Sequence, residues 1–129
     1  ELTSLFKALN NTVATLEFDM NGEILEANSI FISVGDFELQ NLVGQQYIDL
    51  LPEEEHKKEQ HIMMWANLRL GKFFSGEYKF VNTKGTEMWL SGTFNPIKDI
   101  EGFPYKVIML AQFITAEKTK QLELTINQF

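Results

Sequence analysis

The sequence predicts an α+β domain: a five-stranded antiparallel sheet with helices on one face and an amphipathic helix flanking it at each end. Three observations carry this. Asn21-Gly22, a strong short hairpin signal, separates two strand-like runs. The stretch from Pro52 to Gly71 has the polarity of a helix, with proline at its start, glutamates in its first turn and Arg69 near its end. After Gly71, three strand-like runs are divided by the turns Asn82-Thr83-Lys84-Gly85 and Asp99-Ile100-Glu101-Gly102. Such a meander can join the first hairpin in one sheet.

Taken in order, Leu2, Leu5, Phe6 and Leu9 lie at i, i+3, i+4 and i+7, an amphipathic helix. Thr12 to Met20 reads as the first strand and Glu23 to Ala27 as its return. Ile30, Phe31 and Val34 make a short helix after Asn28, whose side chain suits the N-cap, and Gly35 ends it. Asp36 to Gly44 and Tyr47 to Leu51 are further short helical pieces, and the longest helix runs from about Glu53 to Leu70. Phe73 to Val81, Thr86 to Ile97 and Pro104 to Ile114 are the last three strands. On the second of these, Met88, Leu90 and Phe94 alternate against Trp89, Ser91, Thr93 and Asn95, and alternation alone leaves open which set faces inward. Thr115 is placed to cap a final helix carrying Leu122, Ile126 and Phe129 on one stripe. The chain thus divides into an N-terminal helix (1–11), a central domain (12–115) and the start of a C-terminal helix (116–129), with no internal repeat or linker.

Composition narrows the function classes. A chain of 129 residues, 44% hydrophobic, is one ordinary globular domain that can bury a core without staples. Its 11 phenylalanines suit a core, or a pocket, built of large flat side chains. Cysteine is absent, which excludes disulfides, cysteine zinc sites, thiol nucleophiles and flavin attachment to a thiol. Lys and Arg number 11 against 18 Asp and Glu; the net charge of −7 repels phosphate backbones and argues against nucleic-acid binding. No run is long enough to span a membrane and no signal peptide is visible, so a cytoplasmic domain without direct membrane insertion is expected. A first residue of Glu1 suggests a piece of a longer protein, whose remainder can still be membrane-anchored. No Ser-His-Asp set, phosphate loop or catalytic carboxylate pair stands out, so no enzyme is expected. The charged run Glu53 to Glu59 reads as a solvated helix start with His56 facing solvent; His56 and His61, at i and i+5, share no helix face, and no metal site is expected.

Several short stretches, in this order and spacing, resemble a PAS domain over nearly the whole chain. They are Glu17-Phe18-Asp19-Met20-Asn21-Gly22 with Ile24, Ala27 and Asn28; Leu42-Val43-Gly44; Trp65-Ala66-Asn67-Leu68-Arg69-Leu70-Gly71; Ser75-Gly76-Glu77-Tyr78; Lys84-Gly85 with Trp89; Asn95-Pro96-Ile97; and Gly102-Phe103-Pro104-Tyr105-Lys106-Val107. The closest resemblance is to PAS domains of methyl-accepting chemotaxis receptors and of related histidine kinases and diguanylate cyclases. It implies the PAS fold and a sensory, dimerising module of a bacterial-type signal transduction protein. The apolar stripes of the terminal helices suit a homodimer or, on the simpler reading, packing on the domain's own sheet, and such a module passes a ligand, cofactor or partner signal to a C-terminal effector. The alternative is a ligand-free module for protein–protein contact. Two positions depart from the family pattern. Phe113-Ile114-Thr115 stands where Asp-Ile-Thr is common, and that acid usually helps couple the domain to its output helix. Phe73-Phe74 stands where the flavin-binding aerotaxis subgroup carries a second tryptophan.

Five residues are candidates to touch a ligand. At about 100° per residue, His61 sits at the centre of the apolar face of the long helix, flanked by Met64, Trp65 and Leu68. A buried neutral imidazole needs a partner. That partner is a backbone carbonyl or another side chain on the simpler reading; the resemblance adds a haem iron, because haem-binding PAS domains take their axial histidine from this helix. Trp65 is a core anchor or, as the family implies, a wall against a planar ligand such as FAD. Asn28 and Asn95 are able to bond a ligand's polar edge, although Asn28 is more simply an N-cap and Asn95 precedes Pro96 at a strand end. Gln112 shares a strand face with Ile108 and Leu110, and is either a ligand contact or a satisfied sheet amide. The cofactor expectation is therefore FAD, haem or none.

Overall fold

The computed structural model describes residues 13–115, 118, 120 and 121; the helices expected over 1–11 and over most of 116–129 lie outside the described residues. Five strands, β1 (Ala14–Phe18), β2 (Ile24–Ala27), β3 (Phe74–Val81), β4 (Glu87–Lys98) and β5 (Pro104–Phe113), form one antiparallel sheet in the order β2-β1-β5-β4-β3. Between β2 and β3 lie α1 (Ser29–Gly35), α2 (Leu39–Leu42), two 3-10 turns (Tyr47–Leu50 and Glu53–Glu55) and α3 (Glu59–Arg69). The expected meander and the expected sheet are both present. No described helix is long and apolar enough to cross a membrane.

Cross-strand register settles which face is inward. Leu16 and Phe18, Met88, Leu90 and Phe94, and Val107, Met109 and Ala111 are buried on the helical side. Trp89, Ser91, Thr93 and Asn95 therefore point to the opposite face. The core is strongly aromatic: Phe18 meets Trp65 edge-on at 5.5 Å between centroids, Tyr47 meets Phe94 at 5.7 Å, and Tyr78 lies 5.2 Å from both Phe80 and Phe94. Such contacts add to the plain burial of the rings.

Three local readings need correction. The first hairpin is not a tight two-residue turn. Asp19 Oδ1 accepts from the amides of Asn21 and Glu23, both at 2.9 Å, and Gly22 takes φ +86° inside a wider loop. Gly35 does not supply the left-handed cap of α1; Asp36 does, at φ 55°. Gly35 is instead a packing residue, because a Cβ there would lie 2.7 Å from the Phe37 ring. The long helix starts at Glu59, not near Glu53. Residues 53–58 carry no apolar side chain to bury, so no tertiary contact rewards a helix there, and the segment stops at a 3-10 turn.

Candidate functional site

The site grows from α3. Its buried residues are His61, Met64, Trp65 and Leu68, the face that the helical wheel assigns inward. His61 is 9% exposed, and its Nδ1 lies 2.9 Å from the hydroxyl of Tyr47. Tyr47 is fixed in turn by its amide, which donates to the Gly22 carbonyl at 2.8 Å. In this structure the partner of His61 Nδ1 is thus a side chain. Burial pushes the phenols of Tyr47 and Tyr78 up, so both keep their protons. Burial pushes the His61 imidazole down, against the opposing pull of the Glu55 carboxylate, which leaves it neutral near pH 7. In the tautomer in which the Tyr47 hydroxyl donates to Nδ1, the ring proton of His61 sits on Nε2.

Four buried polar atoms lack a hydrogen-bond partner among the described residues; Glu55 Oε2 is held in an ion pair by the Lys58 ammonium at 2.6 Å, which leaves His61 Nε2, Trp65 Nε1 and the Tyr78 hydroxyl. Unpaired buried groups are rare and costly, and a cluster of them marks a place where water or a ligand belongs. Two cavities meet this cluster, and His61 and Tyr47 line both. One, of about 220 Å³, runs between α3 and the β1–β2 turn past Trp65. The other, of about 360 Å³, lies at the free edge of β3 beside Met64 and Tyr78 and reaches Glu77, Lys79 and Trp89. His56 is exposed and yet lines the first cavity, its Nε2 donating to the Leu51 carbonyl at 2.9 Å. The wheel that separated His56 from His61 fails because α3 does not extend back to His56.

The five sequence candidates do not form one site. His61 and Trp65 lie together. Asn28 is consumed structurally: its Oδ1 accepts from the amides of Phe31 and Thr15, each at 3.0 Å, and its Nδ2 donates to the Val13 carbonyl at 2.7 Å. Asn95 donates to Thr93 Oγ1 at 2.8 Å and to the Ile108 carbonyl at 3.2 Å, on the sheet face away from α3. Gln112 is exposed on that same far face. Tyr47, Tyr78 and Arg69 were missed. Alternation of Tyr78 and Phe80 against Glu77 and Lys79 could have placed Tyr78 inward; no local signal marked Tyr47.

Haem and flavin do not fit these residues. His61 Nε2 has no hydrogen-bond partner among the described residues, but ligand pockets for drug-sized molecules span about 300–1,000 Å³, and the spaces of about 220 and 360 Å³ fall below or near the lower end. The interior between α3 and the sheet, where a large planar group would lie, is filled by Phe18, Tyr47, Tyr78 and Phe94 in ring-to-ring contact. Among the described residues, no group of three or more His, Asp or Glu is placed to hold a metal ion.

Comparison with known proteins agrees with the geometry. A family profile described as the PAS fold matches residues 24–111. The biofilm dispersion protein BdlA of Pseudomonas aeruginosa is 32% identical over 109 residues, covering 84% of this chain and 26% of that protein. The chain therefore spans about a quarter of the length of this curated relative. The crystal structure of a PAS domain from Colwellia psychrerythraea superposes with a TM-score of 0.73 at 18% identity, over 89% of this chain and 98% of that one. An RNA-binding light-oxygen-voltage receptor superposes with a TM-score of 0.76 at 17% identity, over 98% of this chain and 37% of that one. At such identities these two structures share the fold with this chain.

Proposed function

The chain belongs to the PAS family, and we propose that it is the sensory module of a longer, cytoplasmic signalling protein, taking a small uncoloured ligand beside His61, Trp65 and Tyr78 and passing the change to a C-terminal effector. It does no chemistry of its own on this reading. Residues 12–115 are the sensor, and the segments 1–11 and 116–129 pair with those of a second copy, as in chemotaxis and two-component systems. One observation carries the reading: β3 joins the cavity to the C-terminal segment. Tyr78 faces the helices, while its neighbours Glu77 and Lys79 point to the other side. There Glu77 Oε1 holds Lys118 Nζ at 2.7 Å, and the ammonium groups of Lys79 and Lys118 stand 5.3 and 5.1 Å from the Trp89 ring. Thr115 Oγ1 accepts from the Trp89 amide at 3.0 Å, and the Ile114 amide donates to the Trp89 carbonyl at 2.8 Å. A ligand that displaces Tyr78 must move this junction.

Native mass spectrometry of the purified protein, with its absorption spectrum, tests the reading. A small adduct lost on denaturation is expected, without a Soret or flavin band. A Soret band that vanishes in His61→Ala would replace the small ligand with haem. The tightly filled aromatic core favours a second reading, a ligand-free interaction module; absence of any adduct, with dimers in sedimentation, would select it.

A further inference from the structure

The cavity between α3 and the β1–β2 turn has an unusual electrostatic character for this protein. The chain carries 18 acidic side chains against 11 basic ones, yet none of the acids lines this cavity. Its lining holds Arg69, His56 and His61 together with the amides of Asn21 and Gln46. His61, Trp65 and Arg69 stand at i, i+4 and i+8 along α3, so their Cα atoms follow one another at about 6 Å along the helix axis, each turned about 40° from the last, and all three side chains line the cavity. His61 and Trp65 are 9% and 7% exposed, and His61 Nε2 and Trp65 Nε1 are unpartnered. Arg69 spends only Nε, donating to the Met20 carbonyl at 3.2 Å, and its terminal amino groups have no partner among the described residues. The other walls, Ile48, Ile62 and the rings of Tyr47 and Trp65, are apolar. The neighbouring cavity at the β3 edge differs, because Glu55 and Glu77 line it.

We propose that this cavity binds a small organic acid with an apolar body. The carboxylate lies between Arg69 and the indole N–H of Trp65, the body rests on Ile48 and Ile62, and His61 Nε2–H takes a second acceptor at the far end. Size agrees: an engineered cavity of about 150 Å³ holds a benzene ring, so about 220 Å³ takes a ring bearing a carboxylate. A guanidinium and buried N–H donors favour an anion over its neutral isostere. The assignment rests on the sensory reading given above and names its ligand class; Tyr78 does not line this cavity, and Tyr47 and His61, which line both cavities, stand between the ligand and Tyr78.

Isothermal titration with 4-hydroxybenzoate and benzoate, each against its primary amide, tests it on the unaltered protein. Hydrogen bonds to charged groups are worth enough that the acids should bind about tenfold or more tighter than the amides. In Arg69→Gln that preference should vanish; in Trp65→Phe, which keeps an aromatic ring but loses the N–H, acid binding should weaken about tenfold. Acid and amide binding alike would overturn carboxylate recognition while leaving a ligand site in place. Failure of both acids and both amides, with a native adduct still present, would overturn the inference and spare the sensory reading. Failure of all four without an adduct would overturn both.

Discussion

Replacing Asn28 by alanine should remove a large part of the margin by which this domain is folded. Asn28 caps α1 through the Phe31 amide, and it also acts as an extra rung between β1 and β2. Its own amide donates to the Thr15 carbonyl at 3.1 Å, while its Oδ1 accepts from the Thr15 amide and its Nδ2 donates to the Val13 carbonyl. Losing an N-cap costs about 1 kcal/mol. Leaving the buried Thr15 amide without this acceptor costs about 1–3 kcal/mol more. The expected loss is therefore about 2–4 kcal/mol, a fall of roughly 8–16 °C in Tm for a domain of this size. Urea denaturation followed by circular dichroism reads it directly: the midpoint should fall while the slope stays unchanged. Asn28→Asp keeps the acceptor but sets an oxygen against the Val13 carbonyl, and should fall between alanine and the natural residue. An alanine variant within about 0.5 kcal/mol of the natural protein, below the range for a cap alone, would refute the argument.

Three further outcomes follow from the same geometry. In Gly92→Ala the added methyl would overlap the Leu110 carbonyl and the Ala111 backbone across the β4–β5 pair, so little folded protein should be recovered in the soluble fraction; a normal yield and melting curve would contradict this. Tyr78→Phe deletes a buried hydroxyl without a partner, so the ligand-free protein should be unchanged or stabilised by up to about 1 kcal/mol; a loss beyond about 1 kcal/mol would mean that the hydroxyl is paired. Because burial lowers the His61 pKa, the unfolded chain takes up that proton first, and stability should fall as pH drops below about 6.5, levelling off below the folded-state pKa. Urea midpoints from pH 7.5 to 5 should lose this part of their slope in His61→Gln; an identical slope in the variant would exclude His61 as its source.

Where burial and pattern coincide, the sequence could be read closely. The stripe of His61, Met64, Trp65 and Leu68, the meander after Gly71 and the cap role of Asn28 all follow from periodicities of 3.6 or 2 and from one side chain's local chemistry. The start of α3 was misread because proline and glutamates satisfy the rules for a helix N-terminus, while only tertiary packing decides whether the helix forms. Asn95 and Gln112 were grouped with His61 and Trp65 because polarity names candidates without assigning faces; register sends them to the far side of the sheet. Tyr47 was invisible for a related reason. Its bond to His61 crosses 14 residues, and no periodicity within a single element points across such a gap.

The departure at Phe113 becomes coherent in three dimensions. On β5, Val107, Met109 and Ala111 alternate inward, and Phe113 continues that series, its ring 6.0 Å from Phe31 and against the backbone of Gly35. An acid at this half-buried inward position would face the apolar ring of Phe31 and lose part of its hydration. The phenylalanine extends the aromatic core to α1 instead. A polar connection to the C-terminal segment must then come from elsewhere, and the next two positions supply it: the Ile114 amide and the Thr115 hydroxyl both bond the Trp89 backbone. Lys118, one turn further on, reaches Glu77 on β3. On the proposed function, the coupling that an acid at position 113 commonly supports in this family falls to β3 and β4, the two strands that carry these contacts. On that same reading, a shift of Tyr78 reaches Ile114, Thr115 and Lys118 through neighbouring backbone and one ion pair.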